Sequence, residues 1–149
     1  MPLKDIKLRQ DSDGIYDIHF ENGDFALTSG LETSMILSIH CERRDESIED
    51  SLSRRGWAGN QLQEIDGFEQ GSLVWTLYQA RADEDSVTNA QDFLQDAFQW
   101  YIDDNIAKDV EVEVSLDNEE IIAKIILTRN DNTQEVRYYD LWINTINNN

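Results

Sequence analysis

A chain of 149 residues fits one domain, and 40% hydrophobic content with four tryptophans supplies an ordinary core, which excludes an intrinsically disordered protein. With 31 acids against 12 bases the net charge is −19, so groove binding of DNA or RNA is not expected, and basic protein surfaces are the expected counterparts. The charged start Met1-Pro2-Leu3-Lys4-Asp5 does not read as a signal peptide, no run approaches the roughly 18 to 20 apolar residues of a membrane span, and the lone Cys41 excludes an internal disulfide, so a soluble protein folded in the cytoplasm is expected.

The first 30 residues predict β-structure. Tyr16, Ile18 and Phe20 alternate with Asp17 and His19, and the run is bracketed by the turn dipeptides Asp13-Gly14 and Asn22-Gly23. Strands near 5–9, 15–20 and 24–28 would form a small antiparallel meander. From Gly30 the period changes: Leu31, Met35 and Ile39 predict a helix over 31–42. The polar stretch Glu42–Arg55 has little periodicity and reads as a surface loop, long enough to suggest docking, with disorder as the competing explanation.

Val74, Leu77, Tyr78 and Arg81 predict a second helix over 71–82, with Ser72 in the N-cap position. A third, over 86–104, carries the broad apolar stripe Val87, Ala90, Phe93, Leu94, Ala97, Phe98, Tyr101 and Ile102. Period two then returns. Val110, Val112, Val114 and Leu116 predict a half-buried strand, 120–129 a central strand apolar on both faces, and 134–143 a closing strand. The expected class is α+β: an N-terminal β-meander, three central helices, and a C-terminal antiparallel β-meander packed on the helices. No internal repeat, linker or second domain is visible, so 1–149 reads as a single domain, with Asn147-Asn148-Asn149 a disordered tail.

No catalytic, cofactor or metal motif appears. The seven glycines form no phosphate loop, and His19, His40 and Cys41 make no ligand set. Carboxylate pairs such as Asp103-Asp104 and Glu119-Glu120 lie at turns and not in the apolar niches that raise an acid's pKa. The segment Arg54-Arg55-Gly56-Trp57-Ala58-Gly59 is different. It sets an indole between two glycines beside paired guanidiniums, and with Arg43 and Arg44 it forms a mixed-charge loop containing Asp45, Glu46, Glu49 and Asp50. Trp57 either fills a partner's pocket or covers its own core, and the arginines either bind a carboxylate elsewhere or neutralise nearby acids. Arg43, Arg44, Arg54, Arg55 and Trp57 are the candidate partner-binding residues, with Gly56 and Gly59 as motif glycines.

That segment resembles the Mu-type phage baseplate wedge protein family, as do Leu31-Glu32-Thr33 opening a helix and Arg43-Arg44 after it. Gly71-Ser72-Leu73-Val74-Trp75 is similar to the family's next helix start. The helix end Trp100-Tyr101-Ile102-Asp103-Asp104, followed by Val110-Glu111-Val112-Glu113, matches the remainder, so the resemblance spans about 4–143. It implies kinship with the small baseplate wedge protein of T-even phages and with counterparts in contractile injection systems. It also implies a non-enzymatic subunit that joins wedge, sheath or hub proteins, without nucleic acid, cofactor or membrane insertion, first in the bacterial cytoplasm and then in the virion. T-even-type relatives carry a Glu-Pro-Arg turn after the last helix; here Asp103-Asp104-Asn105-Ile106-Ala107 stands instead, so contacts of that turn do not carry over. The alternatives are a lysozyme-like glycosidase of the tail, a label given to some relatives, and a free acidic regulator mimicking nucleic acid.

Overall fold

A computed structural model describes residues 4–62, 68–78 and 80–141. Its elements are short strands β1 (Lys4–Ile6), β2 (Leu8–Gln10), β3 (Tyr16–Ile18), β4 (Phe20–Glu21), β5 (Asp24–Phe25) and β6 (Leu27–Ser29), helix α1 (Glu32–His40), helix α2 (Glu84–Asp103), and strands β7 (Asp109–Asp117), β8 (Glu120–Thr128) and β9 (Gln134–Asp140). The expected tail and Trp142 lie outside the described residues.

α2 and the last three strands follow their sequence periods. Asp83 caps α2 by accepting the Ser86 N–H at 2.9 Å, and Glu84 and Asp85 complement the helix dipole. The α2 stripe buries Ala90, Leu94, Ala97, Phe98 and Tyr101. It packs on an antiparallel sheet of order β7-β8-β9, whose residues Val110, Val112, Ile121, Ala123, Ile125 and Leu127 join the same core. α1 adds Met35, Ile36 and Ile39. Polar atoms at the helix contact are satisfied: the Tyr101 and Ser34 hydroxyls lie 2.6 Å apart, and Trp100 Nε1 donates to Ser38 Oγ at 3.1 Å. Ile122 and Ile126 are half-buried on the sheet's other face, so β8 is the central strand with apolar residues on both faces.

Two expectations are overturned. The predicted helix over 71–82 is not formed by the described residues: of these, Val74–Leu77 coil as one 3-10 turn, so the described residues hold two α-helices and not three. Gly71 adopts φ +107°, and Ser72 is held beside α1's exit, where it forms a parallel bridge with Glu42 and donates its N–H to the Cys41 carbonyl at 3.0 Å. The Ser72 carbonyl also accepts the Arg43 N–H at 3.0 Å, so it is not free to close a first helical turn. Val74 and Leu77 are still buried, because side chains three apart also share a face of a 3-10 turn.

The N-terminal β-meander is replaced by three two-stranded antiparallel ribbons, β1-β6, β2-β3 and β4-β5. They meet at a cyclic junction in which Lys7 N–H donates to the Ala26 carbonyl (2.8 Å), Ala26 N–H to His19 (2.8 Å), and His19 N–H to Lys7 (3.0 Å). Each chain segment thus changes partner at its junction residue instead of pairing along its length with one neighbour. Cross-strand pairs Ile6–Leu27, Leu8–Ile18 and Phe20–Phe25 flank the junction, one on each ribbon.

Candidate interaction surface

Residues 43–56 form a folded loop, closed at its base by Trp57 N–H to the Glu42 carbonyl (2.7 Å) and Asp45 N–H to the Arg54 carbonyl (3.0 Å). The arginines do the internal tying. Arg54 donates to the Ile48 carbonyl (2.6 Å), the Glu49 carbonyl (3.4 Å) and the Glu46 carboxylate (3.1 Å). Arg44 takes the other Glu46 oxygen at 2.9 Å and reaches the Ser51 carbonyl at 3.4 Å. Arg55 pairs with Glu42 and places its guanidinium 4.9 Å from the centre of the Trp75 ring. Arg43 crosses to α2, where it meets Asp96 at 3.4 Å, while its carbonyl accepts the Trp75 indole N–H at 2.8 Å. Four of the five sequence-predicted contact residues therefore hold the loop and fix it to the domain.

The motif glycines have distinct roles. Gly56, at φ +110°, passes so close to Arg44 that a Cβ would lie 3.0 Å from the Arg44 Cβ. Gly59 lies under the Trp57 indole. Trp57 itself is 48% exposed, so it neither enters the core cluster nor projects freely; its ring rests against Gly59. Asn60 and Gln70 exchange hydrogen bonds at 2.8 and 2.9 Å and anchor the far side of the segment.

The residues considered for chemistry are not brought together. Asp103 and Asp104 are exposed at the end of α2, and Glu119 is exposed in the β7–β8 turn. The His40 ring packs tilted against Tyr16 with ring centres 4.9 Å apart, and burial pushes its pKa down to about 4. Among the described residues no three His, Cys, Asp or Glu side chains are grouped to hold a metal ion, and no helix is long and apolar enough to cross a membrane.

Residues 31–134 match the family model described as phage protein GP46. The chain belongs to the GP46 family of phage proteins. A curated relative, the Mu-like prophage FluMu protein gp46 of Haemophilus influenzae, is 31% identical over 114 residues, covering 76% of this chain and 78% of its own length. The Mu-type resemblance read from the Arg54–Gly59 segment is thereby borne out at the level of the family. No solved structure matches.

In this GP46 protein the family match takes in α1, the 43–56 loop, α2 and most of the terminal sheet. The ribbons precede it and carry a surface that sequence reading missed. Of the six apolar residues flanking the junction, Leu8 packs against the core, whereas Ile6, Ile18, Phe20, Phe25 and Leu27 stay between 36% and 60% exposed. Phe20 and Phe25 pack on each other with ring centres 5.0 Å apart. A signal was present: Asp5-Ile6-Lys7-Leu8, Asp17-Ile18-His19-Phe20 and Asp24-Phe25-Ala26-Leu27 repeat one pattern, acid–apolar–x–apolar, with the junction residue at x.

Proposed function

We propose that this GP46-family chain is a non-catalytic structural subunit of a contractile-tail baseplate, of a phage, prophage or tailocin, and works by protein–protein contacts with wedge neighbours and with sheath or hub proteins. The observation that carries this reading is the presentation of Trp57. Its loop is held by the domain's own arginines and Gly59 supports the ring, yet almost half of the indole remains open to water. A large aromatic fixed in place and left half-solvated suits a contact that another protein completes. The exposed ribbon side chains support the same reading, since contiguous apolar surface on a small soluble domain marks an interaction site. The acidic surface favours basic counterparts. In this reading the chain folds in the host cytoplasm and ends in the particle.

The test is incorporation. In a producing strain, Trp57→Ala and Arg55→Ala should each give a folded chain that is missing from purified baseplates. Normal particles from both variants would overturn the proposal, and an unfolded Trp57→Ala chain would assign the indole to the domain's own stability. Hydrolysis of peptidoglycan by the wild type, lost in Asp103→Asn or Glu119→Gln, would instead establish a glycosidase.

A further inference from the structure

The 12 bases of this acidic chain are unequally engaged. Arg43, Arg44, Arg54 and Arg55 serve the loop, Lys124 faces Glu113 at 3.3 Å, and Arg129 and Arg137 share Glu135 at 2.6 and 2.9 Å. Among the bases left without such a pair, which include Lys4 and Arg81, Lys7 and Arg9 are the two that line a cleft. Both are exposed, and neither side chain has a hydrogen-bond or ion-pair partner among the described residues.

Both line one cleft of about 440 Å³ between ribbon β2-β3 and edge strand β9, together with His19, Glu32, Arg137 and Tyr139. Arg137 is already held by Glu135, so Lys7 and Arg9 are the uncommitted cations of the cleft, and Glu32, which accepts the Thr28 hydroxyl at 2.8 Å, is the carboxylate among its lining residues. The cleft is therefore cationic on a molecule of net charge −19. Tyr139 stands in its wall, 7% exposed, with a buried hydroxyl that has no hydrogen-bond partner among the described residues.

Physiological salt screens charge beyond about 8 Å, so a group inside the cleft experiences its cations more strongly than the distant acids. Guanidinium groups bind oxyanions with two parallel hydrogen bonds, which suits both carboxylate and phosphate. The surroundings separate these ligands. A nucleic-acid strand would extend its phosphates beyond the cleft, over exposed Asp11, Asp13 and Asp17, whereas a peptide can direct one or two carboxylates inward and continue with neutral residues.

We propose that the cleft formed by Lys7, Arg9, His19 and Arg137 is a docking site for an acidic polypeptide segment of another chain. The baseplate reading is not required: the cleft's binding and the incorporation of Trp57 variants are read out separately.

The experiment titrates the isotope-labelled full chain with an oligoglutamate peptide at physiological ionic strength and follows backbone amide resonances. Saturable shifts should fall on residues 7–10, 19 and 137–139. The Lys7→Gln/Arg9→Gln pair keeps apolar stems and removes two groups that hold nothing else. Its affinity should drop about tenfold or more with an otherwise unchanged spectrum, as expected for losing charge-assisted bonds, while Arg9→Lys should retain part of the affinity. Absence of saturation at millimolar peptide, shifts centred on the 43–55 arginines, or undiminished affinity in the double variant would overturn the proposal. Two further arms identify the ligand class. Weaker binding of inorganic phosphate and of an oligothymidylate of equal charge supports the acidic peptide; equal or tighter binding of either overturns it.

Discussion

The indole of Trp57 lies across Gly59 so closely that a Cβ on Gly59 would fall 2.3 Å from Trp57 Cζ2 and 2.4 Å from Cη2. The conflicting atoms are the far end of a side chain, not backbone, so the clash is relieved by moving the ring and not by opening the fold. Gly59→Ala should therefore cost less than about 1 kcal/mol in global stability while displacing the indole. With fluorotryptophan labelling, the Trp57 resonance should move while those of Trp75 and Trp100 hold. Movement of all three would place Trp57 within the core network.

Gly71 presents the opposite case. A Cβ there would meet the Cys41 carbonyl oxygen at 2.1 Å and its carbon at 2.6 Å, and the backbone sits at φ +107°. Neither neighbour is free to move, because Ser72 is bonded to Cys41 and Ile39 and Arg43 is bonded back to Ser72. Gly71→Ala should cost about 3 kcal/mol or more, combining backbone strain with the loss of this junction. Denaturant unfolding checks it; a loss under about 1 kcal/mol would mean that the bridge is dispensable.

His40 gives the chain a pH dependence whose sign is fixed. Its folded pKa is held at about 4 by burial against an ordinary value of 6.5, so the unfolded state binds more protons between those limits. Stability should fall as the pH drops from 6.5 towards 4 and gain no further slope from this group below. The helix C-terminus favours the cation by about 0.3–1 kcal/mol, less than desolvation opposes it, and the net contribution is at most about 3 kcal/mol. Carboxylates titrate in the same range, so the measurement is the difference between the wild type and His40→Leu. Parallel stability–pH curves for the two would show that His40 is already solvated.

What the sequence made legible follows from range. α2 and strands β7 to β9 are set by local periodicity and by a cap or turn at each boundary, so Asp83, Asn118 and Asn132 mark their ends. The helix predicted over 71–82 failed because its start is decided by bonds from Ser72 to residues about thirty positions earlier. The meander failed similarly: Lys7, His19 and Ala26 look like ordinary strand residues, and only the cyclic bonding among three separate segments makes them a junction. In the loop the Arg54–Gly59 motif carried the family resemblance, but its charges left open whether the arginines would bind a partner or neutralise nearby acids, and the choice is made by Glu42, Glu46 and Asp96 in the folded chain. The cleft could not be read at all, since Lys7 and Arg9 meet Arg137 only after the chain has run nearly its full length.

Phe20 and Phe25 provide the final prediction. They are cross-strand neighbours on the shortest ribbon, 60% and 47% exposed, and neither belongs to the core cluster. Threonine at both positions keeps the preference for strand while removing the aromatic surface. The double variant should therefore unfold within about 2–4 °C of the wild type. Sedimentation at rising concentration should show less self-association for the variant, because the exposed pair is sticky when nothing covers it. In a producing strain the variant should also be depleted from particles, as expected if a neighbour covers this ribbon. Depletion with a matched Tm would place the pair at a contact. A fall of about 10 °C or more would show instead that the aromatic pair holds the ribbons to the domain.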